Sequence, residues 1–116
     1  MTINERYKRT IEYFLINQPD PETELIYQDP FELMVAVILS AQCTDKRVNM
    51  ITPALLKKYP DAESMAQAEP EDIFEYINSC TYPNNKAKHL SGMSRMLVKE
   101  FEGKVYRYYK ENVNIN

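Results

Sequence analysis

A chain of 116 residues, 44% of them apolar, holds enough material for one modest core and little more. Its two glycines and absent tryptophan leave few of the tight turns a many-stranded sheet requires, so helices are the expected elements. A formal net charge of -3 argues against a domain that grips nucleic acid by phosphate neutralisation alone.

The two cysteines, Cys43 and Cys80, stand far apart, and no signal-peptide pattern precedes them. They read as reduced thiols of a cytoplasmic protein. With His89 as the sole histidine and no CxxC pair, no metal site is expected. The apolar run that includes residues 34–39 is too short to cross a bilayer, so no membrane partner is expected.

Thr2 and Glu5 form a possible capping box, and Tyr7, Ile11, Phe14 and Leu15 recur at helical spacing. A first helix is predicted over residues 3–17, ended by Gln18-Pro19-Asp20-Pro21-Glu22. Asp29-Pro30-Phe31-Glu32 then combines a capping aspartate, a proline at the first helical position and a glutamate placed to reach back to the cap. The helix it starts, out to Ala41, is apolar on nearly every side over residues 31–39. A surface helix avoids that pattern and a central one requires it.

Residues 40–45, Ser-Ala-Gln-Cys-Thr-Asp, break the apolar run. Thr44 can cap a third helix that places Val48, Ile51, Leu55 and Leu56 on one face, with a bend near Asn49 from Pro53 and an end at Tyr59-Pro60-Asp61. Short helices follow over residues 62–66 and 70–77, the latter opened by Pro70. Residues 79–85 read as a turn. A last helix is predicted over residues 86–102, aligning Ala87, Leu90, Ser94, Leu97 and Phe101, with Gly103 as its stop. Residues 106–116 show no period and read as a divergent tail, separate from a domain over residues 1–105. The expected fold is all-α, with about six helices.

On residue chemistry alone, Gln42 is a polar residue at a helix end, and Thr44 and Asp45 are caps that hold the turn in shape. Asn84 and Asn85 could cap the following helix or touch a phosphate. Lys86 and Lys88 could bind backbone phosphates at that helix's positive end or simply coat a solvated face. Arg95 and Lys99 read as solvated, and His89 as a surface or boundary residue.

Two segments carry more. Residues 29–49, from the Asp-Pro cap through the apolar helix to Ser40-Ala41-Gln42-Cys43-Thr44-Asp45, resemble the buried helix and polar turn of the endonuclease III family of helix-hairpin-helix DNA glycosylases. Tyr82-Pro83-Asn84-Asn85-Lys86-Ala87 is similar to that family's loop and helix start at the expected distance downstream. The resemblance runs over roughly residues 3–105. It fits endonuclease III better than the adenine-removing glycosylases, whose turn carries paired glutamines.

The resemblance implies base-excision repair of damaged pyrimidines. A glycosylase must reach a sugar carbon hidden in the stacked duplex, so it extrudes the nucleotide and fills the gap. In the family the turn glutamine fills it, which carries over to Gln42, and a loop residue wedges the opposite strand, which carries over to Tyr82. The family commonly has a leucine-like wedge after a glycine where this chain has Thr81-Tyr82; a tyrosine can intercalate by stacking. The implied DNA-binding set is Gln42, Thr44, Asp45, Tyr82, Asn84 and Lys86. The implied partner is double-stranded DNA bearing a damaged base or abasic site.

The resemblance also implies a nucleophilic lysine and an assisting aspartate around a Leu-Pro-Gly-Val-Gly-Arg-Lys-like hairpin, and a four-cysteine iron-sulfur motif. Neither segment occurs in these 116 residues. The expectation is a truncated, catalytically incomplete chain with no catalytic residue and no cofactor of its own, binding DNA weakly. An apolar face left by missing helices would be covered by a second copy or by the aromatic tail. A non-catalytic helical module for DNA or protein contacts is the alternative.

Overall fold

The computed structural model describes residues 24–104 together with Glu5 and Arg9, both helical. The predicted first helix otherwise lies outside the described residues, as does the tail over 106–116. Within residues 24–104 five helices follow one another: α1 (Pro30–Ser40), α2 (Asp45–Lys58), α3 (Ala62–Ala66), α4 (Pro70–Ile77) and α5 (Pro83–Phe101). Among the described residues there is no strand, and the fold is all-α.

Helix α1 starts as its sequence dictates. Asp29 stays extended while its carboxylate accepts the Glu32 amide at 2.8 Å, and Pro30 takes a first-turn position where its missing N–H costs nothing. Glu32 accepts from Gln28 N, one residue upstream of the cap itself. Beyond this start, Met34, Val35, Ala36 and Leu39 are at most 1% exposed and Phe31 and Ile38 nearly so, which makes α1 the central helix its composition required. Each large side chain buried there contributes roughly 1.5–3 kcal/mol by leaving water. Leu33 and Val37, one turn apart, stay half-buried.

Thr44 caps α2, its hydroxyl accepting from Arg47 N at 3.1 Å, and the helix runs through Pro53 to Lys58. Lys57 and Lys58 complement its negative end. Residues 24–27 lie extended along its first turns. Asn49 bridges them with its amide, accepting from Ile26 N at 2.9 Å and donating to Glu24 O at 2.7 Å. A primary amide can replace a neighbouring backbone in this way because it carries one donor and one acceptor side by side.

Helix α5 is the spine against which α1, α3 and α4 pack, while α2 bridges α1 and α4. Its buried row of Ala87, Leu90, Met93, Met96, Leu97 and Phe101 falls at helical spacing. Arg95, expected on a solvated face, instead ties down the end of α3: its Nε donates to Ala66 O at 3.0 Å and Nη2 to Ala68 O at 3.2 Å. The helix stops where Glu102 and Gly103 turn left-handed and Gly103 N reaches back to Leu97 O at 2.8 Å.

α5 begins at Pro83, three residues before the sequence expectation. Proline fits the first turn for the reason it does at Pro30 and Pro70, and the run Pro-Asn-Asn conceals a helix start that reads as a turn.

Candidate nucleic-acid interface

Two short turns concentrate the unusual backbone. Between α1 and α2, the chain passes the C-cap Ala41 and enters Gln42 at φ 55°, and Cys43 N then closes onto Ser40 O at 3.0 Å. Between α4 and α5, Cys80 N closes onto Ile77 O at 2.9 Å and the chain enters α5 through Tyr82 at φ 53°. For a residue bearing a Cβ, that left-handed region costs about 1–2 kcal/mol. The third non-glycine case among the described residues, Glu102, sits at an ordinary helix end. Gln42 and Tyr82 do not gain burial in return: both are exposed, the tyrosine to 61%. Exposed side chains on strained, fully folded turns are a feature of binding sites.

A buried lysine joins the two turns. Lys86, only 7% exposed, extends its ammonium to Leu39 O at 2.9 Å, Ala41 O at 2.6 Å and Cys80 Sγ at 3.2 Å. An ammonium has three hydrogens, and all three are used. The carbonyls are those left over at the end of α1, which has no basic residue of its own in its last turn. Cys80 completes the knot by donating to Leu39 O at 3.2 Å. Burial pushes the Cys80 thiol up from its ordinary value, with the neighbouring half-buried Cys43 adding to the effect and the Lys86 charge opposing it.

The expectation that Lys86 lies on a solvated face is therefore corrected. Its position on the inner side of α5, one residue before the buried Ala87, turns the side chain under the α1 corner.

The remaining residues of the expected set divide. Thr44 is the cap of α2, as read. Asp45 is not a cap; its carboxylate accepts from Glu24 N at 3.0 Å and holds the extended segment. Asn84 and Asn85 are exposed in the first turn of α5 and cap nothing, because the cap position belongs to Tyr82, which makes no side-chain cap bond. Asn84, Tyr82 and Gln42 are thus exposed beside the positive end of a helix left without a side-chain cap.

Residues 35–115 match the family model for the HhH-GPD superfamily base excision DNA repair protein. The chain belongs to that superfamily. It is 47% identical over 93 residues to endonuclease III of Synechocystis sp., covering 80% of this chain and 42% of the relative. It is 36% identical over 107 residues to endonuclease III of Rickettsia felis, covering 92% and 50%. Among solved structures, it resembles a trapped endonuclease III-DNA covalent intermediate, with a TM-score of 0.69 and 32% identity over 90% of this chain and 49% of that one. A non-covalent endonuclease III-DNA complex matches with a TM-score of 0.68 over the same shares. The chain spans half or less of the length of these relatives.

For an HhH-GPD chain, the test of an iron-sulfur cluster rests on its donors. Such clusters take four thiolates, whereas this sequence has two cysteines and Cys80 is held by Lys86 and Leu39. These residues do not fit one. Among the described residues, no group of three or more His, Cys, Asp or Glu could hold a metal ion, and no helix is long and apolar enough to cross a membrane. The sequence reading missed the roles of Cys80, Asn49 and the knot. Of the knot's members, Lys86 is marked in the sequence by the Lys-Ala pair, and Cys80 only as a reduced thiol.

Proposed function

We propose that this chain is the DNA-probing part of a DNA glycosylase/abasic-site lyase of the endonuclease III type, acting on damaged pyrimidines in duplex DNA by base flipping. One observation carries the reading: Gln42 and Tyr82 are both exposed, both left-handed, and mounted on turns that a single buried knot holds together. Gln42 enters the space vacated by the extruded nucleotide and Tyr82 stacks into the opposite strand. The first-turn amides of α5 and the side chain of Asn84 receive a phosphate nearby, while Thr44 and Asp45 keep the corner in shape. The likeness to endonuclease III-DNA complexes over 90% of the chain supports this placement.

These residues contain no segment similar to the family's nucleophilic lysine, so the 116-residue chain binds without cleaving. Fluorescence anisotropy should give weak, salt-sensitive binding that prefers an abasic-site duplex to an intact one. Borohydride treatment of the same mixture should leave no covalent product. Equal affinity for both duplexes would remove the probing role, and a lysine-dependent adduct would overturn catalytic incompleteness.

The exposed Met50 of α2, 63% accessible, the half-buried Leu33 and Val37 of α1, and the exposed Ile26 of the preceding extended segment are the apolar groups left open on this part of the molecule. A second copy of the chain covers them in solution.

A further inference from the structure

We infer that Lys86 is a positioning residue, which sets Gln42 and Tyr82 at a fixed separation without touching DNA; the inference rests on the DNA-probing reading of those two side chains. Lys86 holds both turns at once. Its ammonium takes Ala41 O at 2.6 Å on one side and Cys80 Sγ, in the turn that leads to Tyr82, at 3.2 Å on the other, while its backbone N–H makes the ordinary first-turn helical bond to Tyr82 O at 3.2 Å. The Ala41 carbonyl belongs to the peptide plane that leads into Gln42, so the orientation of that carbonyl helps set the φ of Gln42. The Tyr82 carbonyl likewise belongs to the plane leading into Pro83, whose ring fixes the next torsion. One side chain therefore ties the backbone leading into Gln42 to the turn that carries Tyr82, across a sequence separation of 45 on the α1 side.

The remaining contacts keep the lysine where it is. Leu39 O and Cys80 Sγ take the other two ammonium hydrogens, and Cys80 bonds to the same Leu39 carbonyl. Swinging out to a phosphate would break three hydrogen bonds in a site 7% exposed and leave α1 without its positive cap. A probe that fills a gap in stacked bases must be placed to within a fraction of an ångström, and the strain at Gln42 and Tyr82 would relax if nothing opposed it.

The test uses the full chain and its Lys86→Met and Gln42→Ala variants, with affinities for abasic-site and intact duplexes measured over a range of salt. Lys86→Met should reduce the preference for the abasic duplex about tenfold and leave the slope of log affinity against log salt unchanged, because no phosphate contact is lost. A slope smaller by about 1, with both affinities falling together, would make Lys86 a phosphate ligand and overturn the inference. If Gln42→Ala abolishes the preference while Lys86→Met keeps it, the positioning role alone is overturned. If the unaltered chain shows no preference, or Gln42→Ala retains it, the probing reading is overturned and this inference with it.

Should Lys86→Met fail to fold, the unaltered chain gives the answer by NMR. A hydrogen-bonded, buried ammonium should yield a slowly exchanging Lys86 Nζ resonance that persists unchanged when the abasic duplex binds. A resonance absent from the free chain, or one that shifts on binding as a new phosphate contact forms, would contradict the inference.

Discussion

At Gln42 the chain accepts a backbone penalty of about 1–2 kcal/mol that glycine would avoid. Gln42→Gly should therefore raise stability by about 0.5–1 kcal/mol, part of the relief being offset by the greater freedom of the unfolded chain. Chemical denaturation checks it, and a loss of stability instead would mean that the glutamine side chain has a folding role. Gln42 and Tyr82 were legible in the sequence through the resemblance, but the left-handed geometry that makes them unusual was not. Lys86 was legible only as a charge beside an alanine. Its burial depends on where α1 ends, 47 residues away for the Leu39 contact, and no local pattern encodes that.

Helix starts follow local chemistry, which is why Asp29-Pro30, Thr44 and Pro70 are readable in the sequence. Pro83 escaped because its neighbours are asparagines, equally at home in turns. Within α5, Ser94 faces fully inward, and its hydroxyl has no hydrogen-bond partner among the described residues. Burying an unpaired hydroxyl costs about 1–3 kcal/mol. Ser94→Ala should thus stabilise the chain by roughly 1 kcal/mol, seen as a higher midpoint in urea at unchanged slope. A destabilised variant would show that the hydroxyl is paired within the folded chain. The buried face of α5 was legible from its spacing, whereas Arg95 was not: its cap on α3 is a tertiary contact across 29 residues.

At the scale of the molecule, α1 is central in the way its all-round apolar sequence required, and the family match over residues 35–115 begins within it. The segment over residues 24–27 is held in place by the side chains of Asp45 and Asn49, contacts that no local pattern of its own encodes. Leu33 and Val37 keep apolar surface half-open at the middle of the fold. Light scattering after size exclusion should therefore report a dimer that dissociates on dilution, and Val37→Asp should shift it to monomer. A concentration-independent monomer would remove the second copy from the account.

In the proposed role, Gln42 and Tyr82 together occupy a gap in stacked DNA. A duplex carrying 2-aminopurine opposite an abasic site measures this most directly, because that base brightens when it loses its stacking neighbours. Adding the chain should change its fluorescence in a saturable way, and Gln42→Ala or Tyr82→Ala should remove most of the change while the protein still binds. A signal that both variants reproduce in full would mean that neither side chain enters the gap.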